Sequence, residues 1–110
     1  MNTINLNGVV WAHPDKLDAV ELYPGVTKKT LWHDTKTGAK CLQVEIGAGA
    51  KFLELDVHEP GAEEVYVIKG TLNDGANDFP AGTFIHNPKG SSHVPQSKDG
   101  CTILVFFPNG

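Results

Sequence analysis

Asp56-Val57-His58 places two side chains able to bind a metal or carry a proton at i and i+2. That spacing puts both on one face if the segment is a β-strand. A Pro60-Gly61 turn follows and Glu63 opens the next stretch, so a hairpin there would return Glu63 beside His58. His93 comes after another turn, Pro88-Lys89-Gly90, and can approach from a third strand. Two histidines with one or two carboxylates on neighbouring strands form a pattern for a divalent metal, since imidazole nitrogens and carboxylate oxygens are its usual donors. The same residues also read as unrelated polar positions on an acidic surface, and spacing alone leaves both readings open.

Such a site needs rigid strands to hold it. In Cys41–Ile46, Leu42, Val44 and Ile46 alternate with Cys41, Gln43 and Glu45; in Phe52–His58, Leu53, Leu55 and Val57 alternate with Phe52, Glu54, Asp56 and His58. Glu63–Lys69 carries Val65, Tyr66, Val67 and Ile68, and Thr102–Phe107 is a continuous apolar run. Their period and β-branched content predict strands. Twelve Gly and seven Pro fall between these segments and read as turns. Seven to nine short strands so spaced imply an all-β sandwich or barrel. One short helix is predicted over Pro14–Leu22, with Pro at its first position.

Composition narrows the function. A chain of 110 residues makes one domain. Its net charge of −4 argues against a nucleic-acid partner, which requires a basic surface. The longest apolar run, Ile103 to Phe107, is five residues, too short to cross a bilayer. Met1 to Val10 contains no Lys or Arg and no sustained apolar stretch, so a cytoplasmic protein is expected. Cys41 and Cys101 stand outside any CxxC pattern and read as buried free thiols.

Two motifs then carry a resemblance. His58, four residues, Glu63, six residues, Gly70 is similar to the second half of the first cupin motif. Gly82, five residues, Pro88-Lys89-Gly90, two residues, His93 is similar to the second motif. The stretch Glu63 to Gly70, the Pro80-Ala81-Gly82 turn and Asn87 to His93 resemble the ChrR-type cupin-like group, across roughly Pro24 to Phe107. The resemblance implies a single jelly-roll barrel over residues 1–110, with 1–23 an extension packing on the barrel or across a dimer. It implies a divalent metal (Fe, Zn, Mn or Ni) on His58, Glu63 and His93. Asp56 stands where the first motif usually has His, Ala50 where it has its leading Gly, and Ser97 where the second motif usually ends in Asn. Asp56 is thus either a fourth, hard oxygen ligand, a catalytic acid/base group, or a lost ligand.

Other residues carry less. His86 shares strand parity with Phe84 and is a candidate for lining the pocket or for the surface. His13 and His33 read as surface or packing residues, Trp11 and Trp32 as covers of the barrel, and Lys28-Lys29 as a solvated pair. Ser91 and Ser92 lack the His-Asp arrangement of a serine nucleophile. The leading expectation is a metal-dependent enzyme on a small molecule, an oxygenase by resemblance. The alternative is a metal- or ligand-sensing domain like that of the anti-sigma factors. Twenty-three leading residues are too few for a helical sigma-binding domain, so a sensor of this kind is expected to act through a separate partner. Leu53, Leu55 and Val57 are expected to face outward and to be covered by a second copy, or by the segment Val9–Leu22 crossing over from it, making a homodimer; the alternative is that the chain's own N-terminal segment folds back across the patch.

Overall fold

Period-two alternation becomes nine strands among the described residues of the computed structural model, 2–110. They are β1 (Val20–Tyr23), β2 (Val26–His33), β3 (Lys40–Ile46), β4 (Asp56–Val57), β5 (Glu63–Asn73), β6 (Asp78–Pro80), β7 (Phe84–Asn87), β8 (Ser92–His93) and β9 (Cys101–Phe107). One sheet runs β1-β2-β3-β9-β5-β6, with β7 also on β5, and a second consists of β4 and β8. Every pairing between these strands is antiparallel. The chain is an all-β jelly-roll barrel. Among the described residues, no helix is long and apolar enough to cross a membrane.

The inward parity of three adjacent strands builds the core. Leu42 faces Val105, which faces Val65; Val44 faces Ile103, which faces Val67. All six are buried, and such cross-strand rows are the unit of sheet stability. Glu63 has the parity of Val65 and Val67, so β5 turns its carboxylate inward with them. Past Val67 the register of β5 against β9 slips, Lys69 and Gly70 pairing with Thr102 and Cys101, and the last residues, Thr71 to Asn73, pair with β6. A slip of this kind bends a strand. Gly70 sits there with φ +76°, where a Cβ would lie 2.1 Å from the Gly100 carbonyl oxygen.

Three expectations are corrected. Pro14–Leu22 is not a helix: a single 3-10 turn spans Pro14–Lys16, and Val20–Tyr23 leaves it as edge strand β1. The short turn cannot match the hydrogen bonds that β2 offers to an extended chain. The predicted strand Phe52–His58 is reduced to Asp56–Val57. Lys51 faces Gln96 and Asp56 faces His93, so five steps on one side meet three on the other, and the ladder breaks at the bend of Leu53-Glu54. Pro95, opposite that break, has no N–H to give. Nor do β4 and β5 form a hairpin, because β4 pairs with β8. Both cysteines are free thiols; Cys101 is buried and Cys41 half-buried.

Candidate metal centre

Four side chains converge at one end of the barrel interior. β4 supplies Asp56, the residue just beyond it is His58, β5 opens with Glu63, and β8 ends on His93. His93 is the register partner of Asp56, which sets these two side chains side by side. His58 is locked by two backbone bonds: its N–H donates to the Ser91 carbonyl at 3.0 Å, and its carbonyl accepts from Gly90 N–H at 2.7 Å.

The donor atoms lie at ligand spacing. His58 Nε2 is 3.2 Å from His93 Nε2, 3.3 Å from Glu63 Oε1 and 3.4 Å from Asp56 Oδ2. His93 Nε2 is 3.0 Å from Asp56 Oδ2 and 3.4 Å from Glu63 Oε1. Metal–ligand bonds of about 2.1 Å set donor–donor distances of about 3.0 Å at a right angle and about 3.4 Å at the tetrahedral angle. Five of the six pairs fall in that interval, and all four atoms lie within 4.8 Å of one another. The donor set therefore fits a divalent ion.

Surrounding groups fix the orientation of the donors. The Ser91 hydroxyl donates to the Pro88 carbonyl at 2.6 Å, which leaves its oxygen, 2.9 Å from His58 Nδ1, to accept the imidazole N–H. That places the His58 proton on Nδ1 and turns the Nε2 lone pair toward the other three donors, the arrangement typical of metal-binding histidine. Asn87, the register partner of Glu63, donates to Glu63 Oε1 at 3.3 Å. Ser91 and Asn87 were missed as site residues. Both lie in the stretch running up to His93, which was their only signal.

Charge is unevenly held. Burial, then the Asp56 carboxylate, pushes the Glu63 carboxyl up to about 7. At Asp56, burial pulls the other way but is outweighed by the hydrogen bond and charge of His93, so this carboxyl stays below its ordinary value. Burial lowers the pKa of His58. At His93 burial acts in the same direction, but the hydrogen bond to Asp56 and the charge of Glu63 prevail and raise it. Without a metal, a proton is thus favoured on His93 beside the Asp56 carboxylate and on Glu63, and disfavoured on His58.

Above the donors lies a cavity of about 110 Å³ reached by Asp56, Glu63 and His93. Its walls are apolar and include Leu22, Val44, Phe52, Leu72, Ile103 and Phe107. Asp56 is the most exposed of the four ligand candidates, its side chain 29% accessible against 8% or less for the others.

The other candidates lie elsewhere. His86 is on β7 with its side chain more than half exposed, its Nδ1 2.6 Å from Glu64 Oε1, and it does not line this cavity. Ser97 is buried and donates to the Thr71 carbonyl at 2.6 Å, tying its loop to β5. Trp11 is 84% exposed and does not cover the barrel; residues 2–13 are all exposed and, apart from a turn at Asn7-Gly8, form no regular structure.

Comparison with known proteins bears on the family and the fold. The family described as the ChrR Cupin-like domain matches residues 7–109. An RmlC-like cupin from Shewanella frigidimarina superposes with a TM-score of 0.77 at 15% identity, over 91% of this chain and 90% of that one. A candidate acetylacetone dioxygenase from Methylibium petroleiphilum PM1 gives 0.80 at 16% identity, over 98% and 80%. A chain from the complex of Rhodobacter sphaeroides SigE with the anti-sigma ChrR gives 0.72 at 20% identity, over 86% of this chain and half of that one. At these identities the likeness is one of fold. No curated protein matches the chain significantly.

Proposed function

The chain belongs to the ChrR cupin-like family, and on that premise we propose that it is a metal-dependent enzyme acting on a small molecule inside the barrel. The observation that carries the reading is the spacing of His58 Nε2, His93 Nε2, Glu63 Oε1 and Asp56 Oδ2. His58, Glu63 and His93 form a two-histidine, one-carboxylate set, which suits Fe(II) and accommodates Mn, Ni or Zn. A bound ion with open positions supplies Lewis-acid chemistry and, for iron, redox chemistry. Oxygenase activity is the form we favour, supported by the likeness to the candidate dioxygenase.

The protein's own residues would do the rest. Ser91 aims His58, Asn87 steadies Glu63, and the apolar walls keep bulk water from a bound substrate. Asp56, at the cavity edge, serves as fourth donor or holds a substrate proton as acid/base group. Two free cysteines suit a reducing, cytoplasmic setting.

The alternative reading is a sensing domain, supported by the likeness to the chain from the SigE–ChrR complex. Elemental analysis of untagged protein, before and after anaerobic loading with Fe(II) or Mn(II), tests both. About one equivalent of metal supports the site, and less than about a tenth of an equivalent after loading rejects it. Bound iron favours the enzyme and bound zinc the sensor.

We also propose that a second copy covers the outer patch of Leu53, Leu55 and Val57, with residues 2–13 of each chain crossing to the other, since Val20–Tyr23 of the expected extension is held on β2 of its own barrel. The three side chains are exposed, and so are Val9, Val10 and Trp11. One chain thus presents two apolar surfaces that do not bury one another, an arrangement monomers seldom keep.

A further inference from the structure

Resting on the metal reading above, we propose that the barrel selects an uncharged, largely apolar substrate of up to about six non-hydrogen atoms with one oxygen or nitrogen donor, and discriminates against carboxylates and phosphates. Charge is the first argument. Asp56 and Glu63 bring two negative charges within ligand distance of His58 and His93. A divalent ion among them is already balanced. With a histidine at position 56 the same ion would keep one positive charge to attract an anion; with Asp56 it keeps none.

The walls are the second argument. Among the described residues, Asp56, Glu63 and His93 are the only polar ones lining the cavity, so an anion's remaining oxygens would find no side-chain partner beyond the donor set itself. An unpaired charge in an apolar cavity is strongly disfavoured. Rescue by a cation is absent too. All nine basic residues of the chain are lysines, and none of them lines the cavity. Lys28, half-buried and the register partner of Val44, is not among the lining residues either. Without arginine the chain has no bidentate clamp for carboxylate or phosphate.

Size is the third. A dry cavity of 150 Å³ holds benzene, so about 110 Å³ holds at most a body of that bulk and no sugar ring with its hydroxyls.

Isobutyramide and isobutyrate have the same shape and differ by one charge. Both are titrated into the full-length Co(II)-loaded protein at pH 8 and followed through the visible cobalt bands. We expect isobutyramide to bind at least tenfold more tightly than isobutyrate. In Asp56→Asn, which removes one charge at nearly constant shape, the order should narrow or reverse. Glu63→Gln serves as the second variant should Asp56→Asn not fold.

Equal or tighter binding of isobutyrate to the unsubstituted protein overturns the inference. So does an unchanged ratio in the folded variant, or no spectral change with either ligand at tens of millimolar. Failure of the metal reading is seen earlier, as absence of cobalt bands before any ligand is added, and it removes both conclusions together. Cobalt bound with the wrong ligand preference removes only this one.

Discussion

The hydroxyl of Ser91 links the imidazole of His58 to the backbone, accepting from Nδ1 at 2.9 Å and donating to the Pro88 carbonyl at 2.6 Å. It makes no hydrogen bond to the other three donor residues, yet it decides which nitrogen of His58 faces them.

Ser91→Ala should therefore weaken metal binding by about 10- to 100-fold, the usual cost of losing such an outer partner. Ser91→Thr, which keeps the hydroxyl, should restore most of it. Chelator competition measures the affinity. Nitrogen-15 shifts of the metal-free protein report the tautomer, which should be Nδ1–H in the unsubstituted protein and mixed in Ser91→Ala. A purely structural role for Ser91 would leave the tautomer unmoved.

The raised Glu63 carboxyl makes stability depend on pH in a stated direction. Its ordinary value is 4.5 and its value in the fold is about 7, so the native state holds this proton more tightly than the unfolded chain. The contribution is fully present below about pH 4.5 and is lost as pH rises through about 7. Across that window the metal-free protein should lose up to roughly 3 kcal/mol through this group. Glu63→Gln should gain on the parent between pH 5 and pH 8 in urea unfolding of metal-free samples. A gap that stays constant over that range would show that Glu63 titrates normally. Metal binding runs the other way, since it requires the deprotonated carboxylate, and affinity should climb as pH rises toward 8.

Gly70→Ala tests the crossing of β5 over β9. A methyl group there meets the Gly100 carbonyl oxygen at 2.1 Å with φ at +76°, and backbone on both sides cannot give way cheaply. Loss of about 3 kcal/mol or more is expected. Urea midpoints within about 1 kcal/mol of the parent would mean that the strand can re-route.

For the dimer, light scattering should return twice the chain mass of 11.8 kDa at micromolar concentration. Leu55→Lys, placing a charge in a patch whose centre is 59% exposed in one chain, should shift it to the monomer without unfolding it. A monomeric parent across the micromolar range would reject the proposed interface.

Much of the fold and part of the site are legible in the residues themselves. Leu42, Val44 and Ile46 mark the inner face of β3 because alternation is a local property of extended backbone, needing no knowledge of the partner strand. Parity likewise turns Glu63 inward with Val65 and Val67, and the types and spacing of His58, Glu63 and His93 make them candidate donors, a reading that the resemblance to the cupin motifs favours over the surface one. Long-range pairing is not legible in this way. Val57 and Ser92 share a ladder although thirty-five positions separate them, and the Pro60-Gly61 turn gives no hint that β4 pairs with β8 and not with β5. For the same reason Ser91 and Asn87 gain their importance only when loop closure sets them against His58 and Glu63. His86 alternates correctly with Phe84, yet period two cannot say which face of β7 looks inward, and tertiary packing turned it to solvent. Alternation assigns residues to faces; only the closed barrel, which must satisfy its hydrogen bonds and bury its apolar rows together, assigns faces to an inside and an outside.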